Sequence, residues 1–209
     1  MTNKIHDIIS FLDEIYPRVG CELNYHKDYE LVIAVMLSAQ TTDKSVNKVT
    51  EILFNKYPTL EELNNASIND IEEIIKSIGL YKNKAQNLKG IVSLLLEKYQ
   101  GQVPSDKDEL MTLPGVGNKT AGVIRAELFK IPELPVDTHV ARISKRLKLV
   151  KEEDEPLDIE RKLKKTFPKE RWILTHHQFI HFGRYFCTAR NPNCSNCKIQ
   201  KYCNKNGKN

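Results

Sequence analysis

Leu113-Pro114-Gly115-Val116-Gly117-Asn118-Lys119-Thr120 lies between two helical patterns, and its reading decides what kind of helical protein this is. Two glycines two residues apart, Gly115 and Gly117, permit a tight turn with positive backbone torsions and no side chains in the way. Backbone N–H groups then point outward at the start of the next helix, where the helix dipole favours a phosphate oxygen. Such contacts position a protein on nucleic acid without reading sequence. The competing reading is a plain Pro-Gly turn between helices. A Walker A loop is excluded, because it needs Gly immediately before its Lys and Asn118 stands there, with no strand pattern ahead of it. Lys119 falls in the first turn of the following helix. A cation there meets the positive end of the dipole, which with burial favours the neutral amine that a Schiff-base nucleophile requires.

The sequence on either side reads as helix almost throughout. Ile5, Ile8, Ile9, Leu12 and Ile15 recur at helical spacing, as do Ile71, Ile74, Ile75 and Ile78. Thr59 followed by Glu62, Ser67 by Asp70 and Ser105 by Asp108 each resemble a capping box. The nearly unbroken apolar run Tyr29–Leu37 predicts a helix buried on most faces. A second apolar helix over Ile91–Leu96 ends near Gly101, with Pro104 beyond it. No extended alternating run of β-branched and aromatic residues occurs. An all-α fold of about ten helices with short loops is expected. Pro132 and Pro135 mark the best boundary in the second half, just before a helix that begins near Thr138. Asp137 directly precedes that helix, where it suits an N-cap and also suits a carboxylate aimed at a cationic intermediate.

Charge is distributed unevenly over the 209 residues, whose formal balance is +5. Residues 1–140 hold 15 Lys and Arg against 20 Asp and Glu, whereas residues 141–209 hold 17 against 7. That asymmetry points to a polyanionic partner on the C-terminal part, or to a solvated basic tail. No apolar run approaches the roughly 20 residues that span a bilayer, and the first residues lack a signal-peptide pattern. A cytoplasmic protein with no membrane partner is the expectation.

There are five cysteines: Cys21 stands alone, and Cys187-x6-Cys194-x2-Cys197-x5-Cys203 forms a compact set. An odd count without a secretion signal argues for metal ligation over a disulfide framework. Four thiolates accept either tetrahedral zinc or an iron–sulfur cluster, and spacing alone leaves both open. With four cysteines completing a site, His176, His177 and His181 read as packing or surface histidines.

The hairpin segment, the apolar helix and proline after it, and Val136-Asp137-Thr138-His139 together resemble the helix–hairpin–helix and Gly/Pro-Asp signature of the base-excision DNA glycosylases. The segments Glu30–Asp43, Ile78–Ala85 and His181-Phe182-Gly183-Arg184 resemble those of the endonuclease III family, as does the cysteine spacing. The likeness runs from about Glu22 to Cys203. It implies a bifunctional glycosylase/AP lyase that removes oxidised or ring-saturated pyrimidines from double-stranded DNA, and cleaves abasic sites, as a nucleoid-associated monomer. Lys119 would attack the sugar C1 carbon, expel the base and form a Schiff base, after which β-elimination cuts the strand. Asp137 would stabilise the positive charge on the sugar, and the target nucleotide would leave the stack. Gln40 and Leu80 match positions that fill the gap it leaves, although Gln40 also suits a helix cap and Leu80 a core position. Asp43 and His139 match positions near the base pocket.

The same resemblance implies a 4Fe–4S cluster on Cys187, Cys194, Cys197 and Cys203, fixing a loop that presents Arg190 to phosphates, with Lys198 and Lys201 adding attraction. It also implies two domains with a DNA cleft between them: residues 22–132, six helices with the hairpin, and residues 1–21 plus 133–209 with the cluster. Asn118 stands where Arg or Lys is commoner in the family, and Gly122 where Asn is common. Neither departure touches the implied chemistry. The rival readings are a monofunctional glycosylase, against which Lys119 argues, and a non-catalytic DNA-binding module.

Overall fold

The computed structural model describes residues 2–204, so the outermost ends of the expected second domain, at 1 and 205–209, lie outside the described residues. Among these residues the chain is helical without strands, and it carries eleven α-helices. Helix α1 (Asn3–Ile15) is followed by α2 (Asp28–Leu37), α3 (Asp43–Lys56), α4 (Leu60–Asn65), α5 (Ile68–Ile75), α6 (Tyr81–Tyr99), α7 (Lys107–Met111) and α8 (Asn118–Phe129). Then come α9 (Thr138–Arg146), α10 (Pro156–Thr166) and α11 (Trp172–His181), a π-type turn over Phe182–Phe186 and short 3₁₀ turns around the last cysteines. No described helix is long and apolar enough to cross a membrane.

The chain divides into two compact units, one spanning Glu22–Ile131 and one joining the residues up to Cys21 with those from Pro132 on. The first unit is built around α2. Nine of its residues, Tyr29 to Leu37, are buried. That burial is why the run shows no polar face: α3, α6 and α8 all pack against it. The expected Thr59–Glu62 capping box forms, with Thr59 accepting from the Glu62 N–H and the Glu62 carboxylate accepting from the Thr59 N–H. Ser67 likewise accepts from the Asp70 N–H. The third expected cap is displaced by one residue. Asp106, not Ser105, caps α7, because its carboxylate takes the N–H groups of both Asp108 and Glu109 at 2.9 and 3.0 Å. A carboxylate holding two orphan donors outcompetes a hydroxyl that can hold one. Helix α6 ends as expected with Gly101 at φ +80°.

In the second unit α1, α9, α10 and α11 enclose a core of Ile8, Leu12, Val140, Ile143, Leu163, Phe179 and Phe182. Phe179 meets Phe167 edge-on with ring centroids 5.7 Å apart. Two anchors hold the segment that leads into α9. Lys164 lies between Glu133 and Glu160 at 2.7 and 2.6 Å. Burial works against its charge, but the two carboxylates outweigh that and raise its pKa. The other anchor is His176, whose Nδ1 donates to the Pro135 carbonyl at 2.8 Å. His176 and His177 are both buried, in keeping with a packing role.

Candidate nucleic-acid interface and cluster site

The two hairpin glycines serve different purposes. Gly115 has φ +77°, and a Cβ there would stand 2.7 Å from Asn87 Nδ2 and 3.0 Å from Met36 Cγ. Torsion and space both demand glycine. Gly117 departs from the expected pair of positive torsions: its φ of −97° and ψ of −176° are extended, a conformation open to any residue. A Cβ on Gly117 would meet nothing within 4 Å. The protein's own packing therefore requires only the first glycine, and the second leaves bare backbone where α8 begins. Gly117 is the N-cap of α8 and, having no side chain, provides no side-chain cap. Lys119 is the second residue of that helix and is half-buried.

Gln40 and Leu80 come from separate loops of the same unit and share two properties. Both have left-handed backbone torsions, φ 55° and 59°, and both side chains are exposed. Leu80 is 59% exposed and stands at the N-terminal boundary of α6, so it is not the core residue that its apolar side chain allows. A bulky residue at positive φ that also leaves its side chain in water is doubly unfavourable for folding. Asp43 is the first residue of α3, behind the Thr42 cap, and is half-buried.

In the other unit Asp137 caps α9: its Oδ1 accepts from the Val140 N–H at 2.7 Å. One carboxylate oxygen thus fixes the side chain at the N-terminal end of the helix. His139 lies in the same first turn. Burial lowers its pKa; the Asp137 charge opposes that, and the Arg142 and Arg184 charges add to it. Gly183, from the His181–Arg184 segment, has its reason here, since a Cβ on it would come within 3.0 Å of His139 Cβ and 3.1 Å of Arg142 Nη2. Arg142 donates to the Gly183 carbonyl at 2.7 Å.

The C-terminal end of α9 reaches the cysteines. Cys187, Cys194, Cys197 and Cys203 are thiols without disulfides and line one cavity of about 400 Å³, counting space open to solvent. Ile143, Leu147, Phe182 and Phe186 supply its apolar walls. Among the described residues no three Cys, His, Asp or Glu side chains converge closely enough to hold a single metal ion. Four thiols spread around a cavity suit a polynuclear cluster better than one tetrahedral zinc. Burial pushes the Cys197 thiol up to about 11, and it raises Cys187 against the opposing pull of Arg146. Ligation through thiolates would bring negative charge into this cavity, which nearby cations would offset. Arg146 is placed for that: buried, it donates to Cys187 Sγ at 3.2 Å and to the carbonyls of Cys187, Thr188 and Ala189 at 3.1, 2.7 and 2.9 Å. The residues present fit the group.

Arg142 and Arg146 are functional residues that sequence reasoning missed. Their spacing of four puts both on one face of α9, which was the available signal. Arg190 is exposed beyond the first cysteine. Lys198 and Lys201 each form an exposed ion pair with α1, Lys198 with Glu14 and Lys201 with Asp7. A charge already paired adds little to attraction for a polyanion.

Residues 33–169 match the model of the HhH-GPD superfamily of base excision DNA repair proteins, and residues 187–203 match the iron-sulfur binding domain of endonuclease III. Endonuclease III of Bacillus subtilis (strain 168) is 45% identical over 205 residues, which cover 98% of this chain and 94% of that protein. A trapped endonuclease III–DNA covalent intermediate, an estranged-adenine complex, aligns with a TM-score of 0.93 at 45% identity over 99% of this chain and 98% of the other. A non-covalent endonuclease III–DNA complex aligns with a TM-score of 0.94 at 45% identity, over 99% and 97%. The chain belongs to the endonuclease III family within the HhH-GPD superfamily. It is accordingly a DNA glycosylase and AP lyase with a 4Fe–4S cofactor.

Proposed function

We propose that Lys119 is the nucleophile and Asp137 the charge-stabilising carboxylate in the excision of oxidised pyrimidines from double-stranded DNA. The Lys119 amine attacks C1 of the sugar, the damaged base departs, and the Schiff base that forms permits β-elimination on the 3′ side. Asp137 holds the positive charge that develops on the sugar. The observation that carries this reading is the position of Lys119. It follows a hairpin whose second glycine leaves backbone bare at the helix start although no neighbouring atom excludes a side chain there, so a phosphate held there sets the sugar beside the amine. The trapped covalent complex formed by a relative at 45% identity supports a covalent route.

Gly115 and Gly117 serve the phosphate contact, Gln40 and Leu80 fill the gap left by the extruded nucleotide, and Arg190 meets the backbone. Asp43 and His139 contribute to recognition of the damaged base. Cys187, Cys194, Cys197 and Cys203 hold the cluster, which supplies a rigid cross-link for their loop. Sodium borohydride trapping on a duplex carrying thymine glycol is the test, comparing the native chain with Lys119→Ala. A covalent protein–DNA band that vanishes in the variant is the expected result. Tight binding with no band from either protein would remove the lyase mechanism and the assignment of Lys119 together.

A further inference from the structure

Lys84 is a lysine that the chemistry above does not use, and it is only 4% exposed. It sits in the first turn of α6, where its N–H closes that turn on the Leu80 carbonyl at 3.0 Å. Its ammonium leaves its own helix and donates to Thr41 Oγ1 at 2.8 Å, 43 residues away in sequence. The Thr41 hydroxyl in turn donates to the Ala39 carbonyl at 3.4 Å. One hydroxyl can accept and donate at once, so the chain Lys84–Thr41–Ala39 is consistent in its protons. Gln40 is the residue bracketed by it.

Burying a lysine is costly, and an apolar residue of equal length would pack α6 at less expense. Burial lowers the Lys84 pKa, as that cost requires. What the amine gains in return is local. It ties the loop that holds Gln40 at φ 55° to the helix start that holds Leu80 at φ 59°, two conformations that neither side chain favours. We infer that Lys84 is a positioning residue, which through Thr41 locks Gln40 and Leu80 at a fixed separation so that both enter the same gap in the duplex. The inference rests on the proposed gap-filling role of those two residues. Without the tie each loop keeps its fold but relaxes its αL residue independently, and the two side chains no longer arrive as one preorganised pair.

The test uses the full chain with its cluster and a duplex carrying a tetrahydrofuran abasic analogue opposite 2-aminopurine. Two quantities are read: the affinity ratio for this duplex over an undamaged one, and the 2-aminopurine fluorescence change on binding. Lys84→Met keeps the side-chain length and removes the donor, and Thr41→Val removes the hydroxyl at nearly constant shape. Each is expected to lower the affinity ratio about tenfold, roughly the worth of one hydrogen bond, and to blunt the fluorescence change. The double variant should be no worse than either alone, and Thr41→Ser should behave as the native chain. Melting temperature should hold or rise in Lys84→Met, which a purely structural lysine would not combine with lost discrimination. Native discrimination in Lys84→Met, or additive losses in the double variant, would overturn the inference, provided Leu80→Ala and Gln40→Ala do lose discrimination. If those two leave it unchanged, the gap-filling reading itself fails and takes this inference with it.

Discussion

Replacing Asp137 with Asn leaves a side-chain oxygen for the Val140 N–H and removes the charge; replacing it with Ala removes both. The two substitutions therefore separate capping from catalysis. Asn is as good an N-cap as Asp, so Asp137→Asn should melt like the native chain, whereas Asp137→Ala should lose about 1 kcal/mol. Both should cut single-turnover excision on the order of a hundredfold or more, because neither can stabilise a cationic sugar. Equal activity in Asp137→Asn would leave only the cap. In the sequence Asp137 suits both a cap and a charge-stabilising carboxylate, and the structure shows the cap. The spacing of four between Arg142 and Arg146 marks one face of α9 but not its purpose, because an arginine in the last turn of an amphipathic helix looks like an ordinary solvated cation until the carbonyls it serves, more than 40 residues away, are in place.

Helices were legible wherever an apolar period or a cap sets them: α2, the caps of α4 and α5, and the start of α9 all follow from side-chain spacing. The start of α7 lies one residue beyond the place its sequence suggests, because Ser105 and Asp106 both suit a cap and only geometry decides between them. The hairpin was legible as an element, but the division of labour between its glycines was not, since torsion and free space leave no mark on composition. That division predicts opposite phenotypes. Gly115→Ala forces an L residue to φ +77° against Asn87 and Met36 and should cost about 2 kcal/mol or more, measured by thermal or urea unfolding. Gly117→Ala needs no change of torsion and meets no atom, so its stability should stay within about 1 kcal/mol while affinity for duplex DNA drops. A Gly117→Ala protein that binds DNA as the native chain does would remove the phosphate contact from this loop.

Across the whole molecule, the sequence displays a basic C-terminal part and does not display which of its cations are spent internally. Lys164 is held between Glu133 and Glu160, Arg171 reaches Asp13, and Lys198 and Lys201 pair with the acidic residues of α1. Four of the seventeen cations counted along residues 141–209 are thereby paired with carboxylates outside that stretch, Glu133, Asp13, Glu14 and Asp7, a pairing that only the fold creates. Arg190 is exposed on the cluster loop and carries its charge outward. Counterion release distinguishes the two kinds of cation, because a cation that neutralises a phosphate steepens the fall of log K with log salt, and a cation already paired with a carboxylate does not. Arg190→Ala should weaken binding to any duplex sequence and reduce the salt slope by about 1. Lys198→Ala and Lys201→Ala should leave the slope nearly unchanged, because an ammonium held on a carboxylate of α1 neutralises no phosphate and releases no counterion. Affinities measured by fluorescence anisotropy across a salt series give all three slopes. A slope lost with the two lysines and kept without Arg190 would place the phosphate contact on the α1 side of the loop and strip Arg190 of its role.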